Sequence, residues 1–121
     1  MKRIGLFCVL CCFLAVSSSC NTPKFNGSST GNEEQFIMEY SILNTSDTRD
    51  MCLNAGDIVD TEIVSESGKV NIQVENSEGD IICSQTDAPT STFEIVIPQD
   101  DTYTFTVTGQ GAKGSVSFIR R

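Results

Sequence analysis

The sequence contains no histidine and no tryptophan. Without histidine there is no imidazole-based triad, no His-ligated metal centre and no near-neutral proton shuttle. Without tryptophan, the broadest aromatic platform on which a sugar face can rest is missing. Basic residues are scarce as well: 8 Lys and Arg stand against 16 Asp and Glu, a net charge of −8. That sign opposes a polyanion, so no nucleic-acid partner is expected. Long apolar runs are confined to the stretch before Ser17. What remains, 121 residues that are 39% hydrophobic and 20% charged, is sized for one globular domain.

Lys2 and Arg3 precede an apolar run from Ile4 to Val16, which is followed by Ser17, Ser18, Ser19 and Cys20. A charged start, a short apolar helix and a small-residue cleavage zone form the pattern of a secretory signal, and the run is shorter than the roughly 20 residues a membrane span needs. The segment Val16-Ser17-Ser18-Ser19-Cys20 resembles the lipobox of bacterial lipoproteins. In that family, cleavage leaves a diacylglyceryl-modified cysteine as the new N-terminus. Ser17 departs from the pattern, which has an aliphatic residue there, so ordinary secretion with cleavage near Ser17 or Ser19 stays open. The resemblance implies residues 1–19 as a lipoprotein signal peptide and Cys20 as the acylated, palmitate-type anchor. It also implies a location on the extracytoplasmic face of the cell membrane. Two acyl chains suffice to hold a small domain stably on a bilayer.

Cys8, Cys11 and Cys12 leave with such a signal, so Cys52 and Cys83 are the cysteines of the mature domain. In an exported protein they point either to one 52–83 disulfide, worth ~3 kcal/mol, or to two buried thiols in neighbouring strands. Residues 20–34 are rich in Asn, Gly, Ser and Thr, and read as a lipid-anchored flexible linker.

From Gln35 the period becomes two. Phe36, Met38, Tyr40 and Ile42 alternate with polar or exposed partners, and so do Val70, Ile72 and Val74, then Phe93, Ile95 and Ile97, then Tyr103, Phe105 and Val107. Alternation of this kind marks strands with one dry and one wet face. Turn signals fall at Asn54–Asp57, Ser67-Gly68, Asn76–Asp80, Pro98–Asp101 and Gly109–Gly114. Ser67-Gly68 is expected to close a tight hairpin. The pattern predicts an all-β domain over 35–121, a small antiparallel β-sandwich of about eight strands with Greek-key or jelly-roll-like connections. Phe93, Ile95, Phe105 and Phe118 are expected to face its core. Tyr103, after Gln99-Asp100-Asp101-Thr102, resembles the tyrosine corner of sandwich folds.

Two wider resemblances follow from these words of sequence. Leu53-Asn54-Ala55-Gly56-Asp57, Gly68-Lys69-Val70-Asn71-Ile72 and Thr102-Tyr103-Thr104-Phe105 are similar to GOLD-like and pre-peptidase C-terminal β-sandwiches. Met38-Glu39-Tyr40, Ala55-Gly56-Asp57 and Ala112–Phe118 resemble small lipoproteins of anaerobic Gram-positive bacteria. The resemblance implies a compartment and a fold, and no reaction.

The search for chemistry yields no constellation. Cys52 and Cys83 lack a histidine to activate them. No serine sits in a Gly-x-Ser-x-Gly elbow, and Lys69 and Lys113 stand beside turn glycines. Asp57, Asp60, Asp100 and Asp101 offer carboxylates, and Asp80 adds another, but no calcium-loop motif is present. No catalytic residue, metal site or cofactor is therefore assigned. The reading is a non-enzymatic, membrane-anchored interaction or accessory module, meeting the bilayer through Cys20 and a protein or cell-wall partner. The alternatives are a carbohydrate- or small-ligand-binding module, or a plainly secreted protein. Once Lys2 and Arg3 are removed, six basic residues face sixteen acidic ones. The folded domain as a whole is then expected to repel anionic lipid.

Overall fold

The computed structural model describes residues 24–121; the predicted signal peptide and helix, and Cys20, lie outside the described residues. Seven antiparallel strands form the fold: β1 (Phe25–Gly31), β2 (Gln35–Leu43), β3 (Ser46–Leu53), β4 (Ile58–Glu75), β5 (Ile81–Gln85), β6 (Ser91–Val96) and β7 (Asp101–Arg120). No helix among the described residues is long and apolar enough to cross a membrane.

The two long strands organise everything else. β4 and β7 pair along nearly their whole lengths, from Val59↔Arg120 to Glu75↔Thr104. The ends of this ribbon recruit different neighbours. The first half of β7 pairs with β3 and the second with β2, while β4 pairs first with β6 and later with β5. One layer is thus β3–β7–β4–β5 and the other β1–β2–β7–β4–β6, with the ribbon passing through both. The chain crosses between layers at residues 44–45, 54–57, 86–90 and 97–100, in jelly-roll fashion.

The ribbon folds over at a corner. Register shifts fall between Ser65 and Ser67 and between Ser67 and Lys69, the bulges that bend a strand sharply. Gly68 (φ +72°) and Gly111 (φ +57°) lie in the left-handed region. A Cβ on Gly68 would collide with the Gly111 carbonyl, so the close approach and the backbone angle both demand glycine. The hairpin expected at Ser67-Gly68 is therefore a bend inside β4, and the Gly109–Gly114 turn is its counterpart inside β7. Both flanks of each bend keep the same partner strand, which a hairpin would not allow.

The dry faces carry the alternating residues. Phe105 and Phe118 are fully buried, Ile95 is buried, and Phe93 packs partly against the cluster at the β6 edge. In β2 the phase shifts after Tyr40, where a register irregularity makes Leu43 rather than Ile42 the buried residue. Tyr103 forms the expected corner, its hydroxyl donating to the Gln99 carbonyl at 2.6 Å.

The linker assigned to 20–34 requires correction. Residues 25–31 are a strand, paired with β2 from Phe25↔Leu43 to Gly31↔Phe36 with a register shift between Asn26 and Gly27. None of its side chains is buried. Hydrogen bonding, chiefly backbone pairing, holds it, so its FNGSSTG sequence gives no hydrophobic signal. The Ser29 hydroxyl donates to Asp47 of β3, and the Arg49 guanidinium lies 5.6 Å over the Phe36 ring. Together these close the open side between the two layers.

Candidate functional site

The acidic turn residues come together at the end of the sandwich opposite the folded corner. There the loops 32–34, 54–57, 76–80 and 97–100 meet the C-terminal end of β7. Their carboxylates are tied to backbone amides. Asp57 accepts from the Asn54 amide at 2.7 Å and Asp100 from the Ala55 amide at 2.8 Å. Asp101 accepts from the Thr102 amide at 2.7 Å and from both the amide and hydroxyl of Ser77, at 3.2 and 3.0 Å. The Ser77 hydroxyl, followed by these amides, holds the Asp101 carboxyl below its ordinary range. Asp80 receives the Asn76 side-chain amide at 3.4 Å. No group of three or more metal-ligating side chains is assembled among the described residues.

Arg120 and Arg121 pair with acids at this end. Arg120 reaches Asp57 at 3.0 Å and Glu34 at 3.7 Å. Arg121 bridges Asp60 of β4, at 2.8 Å, and Glu94 of β6. The hydrogen bond from Arg121 lowers the Asp60 carboxyl below its usual range, and the two carboxylates raise the guanidinium in return. This clamp has one signal in the sequence: Arg120 and Arg121 stand beside acids on the wet positions of β4 and β6. Beyond these pairs, Glu33, Glu78, Asp80, Asp100 and Asp101 have no arginine or lysine partner among the described residues. They give the loop end a strongly negative rim. An open groove of about 530 Å³ runs beside it, lined by Glu33, Glu34, Arg49 and Asp50.

The cysteines are not brought together. Cys52 is an exposed free thiol on β3, and Cys83 a half-buried free thiol on β5. These strands are opposite edges of one layer, three inter-strand spacings apart. At about 4.8 Å each the separation is ~14 Å, twice the ~7 Å limit for a disulfide. The 52–83 bond is thus absent, and the correction follows from a topology that spacing along the chain does not reveal. Cys52 contacts the Thr102 hydroxyl at 3.4 Å. Burial pushes the Cys83 thiol above its ordinary pKa, opposite to the shift a nucleophile needs.

Neither tyrosine offers a stacking surface. Tyr103 and Tyr40 are 0% and 5% exposed. The Tyr40 hydroxyl is buried with no hydrogen-bond partner among the described residues, and burial pushes its pKa up to about 12. A second open groove, of about 510 Å³, lies over β1 and β2 near the corner, with Glu39, Glu66, Lys113 and Ser115 in its walls.

No family model and no curated protein matches the chain. Among solved structures it is similar to a periplasmic inhibitor of g-type lysozyme from Aeromonas hydrophila. That match has a TM-score of 0.49 at 12% identity, covering 81% of this chain and 87% of that one. It is also similar to one chain in a crystal structure of accessory secretory protein 1, 2 and 3 of Streptococcus pneumoniae, with a TM-score of 0.43 at 13% identity over 84% of this chain and 87% of that one. A third is a cupin domain from Bordetella pertussis, with a TM-score of 0.38 at 12% identity over 82% of this chain and 95% of that one. No residue role passes to this chain from any of them.

Proposed function

We propose that the chain is a non-enzymatic lipoprotein, held on the extracytoplasmic face of the cell membrane by acylated Cys20. In this reading the rigid acidic loop end of its β-sandwich is the surface offered to a partner. The carrying observation is the use made of the turn acids. Asp57, Asp100 and Asp101 anchor loops through backbone amides, so these acids serve to hold a negative rim together. A catalytic acid needs a raised pKa, and Asp60 and Asp101 are shifted the other way. The compartment rests on the signal pattern that ends at Ser19-Cys20.

A protein or basic cell-wall partner fits this rim better than a neutral sugar, because both tyrosines are buried in the core. Calorimetric titration of the mature protein with neutral cell-wall oligosaccharides, paired with crosslinking on intact cells, tests the reading. Silence in the titration is expected, with a crosslinked partner that Glu33→Lys and Glu78→Lys together abolish. Saturable heat with an oligosaccharide, or a crosslink indifferent to charge reversal, overturns it in favour of a carbohydrate-binding module.

A further inference from the structure

The folded corner differs in charge from the rest of the domain. Every lysine of the described residues lies there. The Lys24 carbonyl accepts the Asn44 amide at 2.6 Å, and the Asn44 side chain accepts the Gly111 amide at 3.0 Å. Lys69 pairs with Gln110, and Lys113 with Ser67, across the bend. All three lysines are exposed. Three acids accompany them: Glu66, 3.9 Å from Lys113, Asp87, whose amide is held by Asn71, and Glu39 in the groove beside Lys113. The corner is thus charge-balanced, holding three of the six bases but only three of the sixteen acids, in a domain that is strongly negative elsewhere.

We propose that this corner, carrying Lys24, Lys69 and Lys113, faces an anionic lipid headgroup layer and sets the orientation in which the domain stands on its anchor. The proposal rests on the reading of Cys20 as the acylated residue. Because β1 begins at Phe25, only Asn21, Thr22, Pro23 and Lys24 separate the fold from that cysteine. The five Cα–Cα steps from Cys20 to Phe25 reach at most about 18 Å. From Gly109 at the corner to Asp101 at the loop end, the strand spans about 26 Å. Inversion is therefore impossible on so short a leash.

What the tether permits is lying on one side, and charge decides against it. One outer face would press Glu39, Glu62 and the net-negative Asp60–Arg121–Glu94 clamp toward the headgroups, and the other Asp50 and Glu75. Standing upright places the lysines within a Debye length of the surface, about 8 Å at physiological salt, and the acidic rim some three Debye lengths away. Net charge predicts repulsion by anionic lipid; its distribution turns that repulsion into an orientation. The acidic loop end then points outward, toward a partner.

The chain has no tryptophan, so single-tryptophan reporters read orientation directly. The acylated full-length protein is placed on phosphatidylglycerol–phosphatidylcholine vesicles carrying a headgroup quencher. Gln110→Trp, with Ser67→Trp as a second corner reporter, is expected to lose emission. Glu62→Trp and Glu78→Trp are expected to keep it. Changing Lys24, Lys69 and Lys113 together to Gln, or using phosphatidylcholine alone, is expected to spread quenching to Glu62→Trp. Equal quenching of corner and face reporters in the unmodified background, or a pattern indifferent to the three lysines, overturns the proposal. Failure of the protein to float with vesicles indicts the anchor instead. A hexahistidine tag in place of Cys20 on nickel-chelating lipid then preserves the same readout, so the two failures are distinguishable.

Discussion

Phe105 and Phe118 lie on the same strand, yet their ring centroids are 4.9 Å apart and tilted by 60°. Thirteen residues of straight strand would separate them by roughly 43 Å. The contact is made because β7 doubles back at its bulged centre and packs its own two halves face to face. Phe118 also stacks on Phe36 of β2, at 6.0 Å, so one aromatic cluster ties both layers to the fold of the ribbon.

Truncation at this cluster is expected to be severe. Phe105→Ala, at a residue with no exposure, should cost about 3–5 kcal/mol in denaturant unfolding, as buried phenylalanines typically do. Thr104→Ala, whose hydroxyl makes an exposed bond to Asp50, should cost at most about 1 kcal/mol. Equal losses at the two positions contradict the assigned strand phase.

The two tyrosines should respond oppositely to loss of the hydroxyl. Tyr103→Phe breaks the bond to Gln99 and orphans neither layer, costing about 1 kcal/mol. Tyr40→Phe removes a buried phenol without a partner and should leave stability unchanged or higher. Tyr40 also supplies an alkaline signature. Its folded pKa, raised to about 12, means the contribution is complete below the unfolded value near 10 and is lost as pH rises through about 12. Melting temperature measured from pH 9 upward should fall in the wild type more steeply than in Tyr40→Phe.

At the acid end the sign reverses. Asp101 has a depressed pKa, held first by the Ser77 hydroxyl. Its contribution is present above the unfolded value, about 3.9, and disappears as pH falls through the lower folded value. Urea midpoints recorded between neutral pH and pH 2 should therefore drop less in Asp101→Asn than in the wild type. Parallel profiles contradict the role given to Ser77.

The cysteines separate by accessibility. Under native conditions a thiol reagent should modify Cys52 at once and Cys83 slowly, given its burial and raised pKa. Reductant should leave the unfolding midpoint of oxidised and reduced preparations the same. A reductant-dependent midpoint would restore the 52–83 disulfide.

Much of the fold was legible because alternation reports burial directly. The dry positions of β2, β6 and both halves of β7 were marked by Phe36, Ile95, Phe105 and Phe118. Other features were not legible. Glycine marks a turn and a bulge alike, so Gly68 and Gly111 read as chain reversals. Only the shared partner across each bend shows two continuous strands. β1 was hidden for the opposite reason: an edge strand held by backbone pairing needs no apolar side chain, so Asn26–Gly31 reads as linker. The acids of the turns were visible as residues but not as loop anchors, since their amide partners are fixed only when four loops converge. The lysine-bearing corner combines Lys69 of β4, Lys113 of β7 and Lys24 at the entry to β1, which no local pattern joins.

Acylation of Cys20 is the claim from which compartment, tether length and orientation all follow. Metabolic labelling with a clickable fatty-acid analogue in a lipoprotein-processing bacterial host, followed by detection on the purified protein, tests it most directly. The account predicts label on the wild type, none on Cys20→Ala, and an N-terminal peptide beginning at Cys20 with the mass of its acyl groups. Equal labelling of the two proteins, or an unmodified N-terminus at Ser18, Ser19 or Cys20, would contradict it.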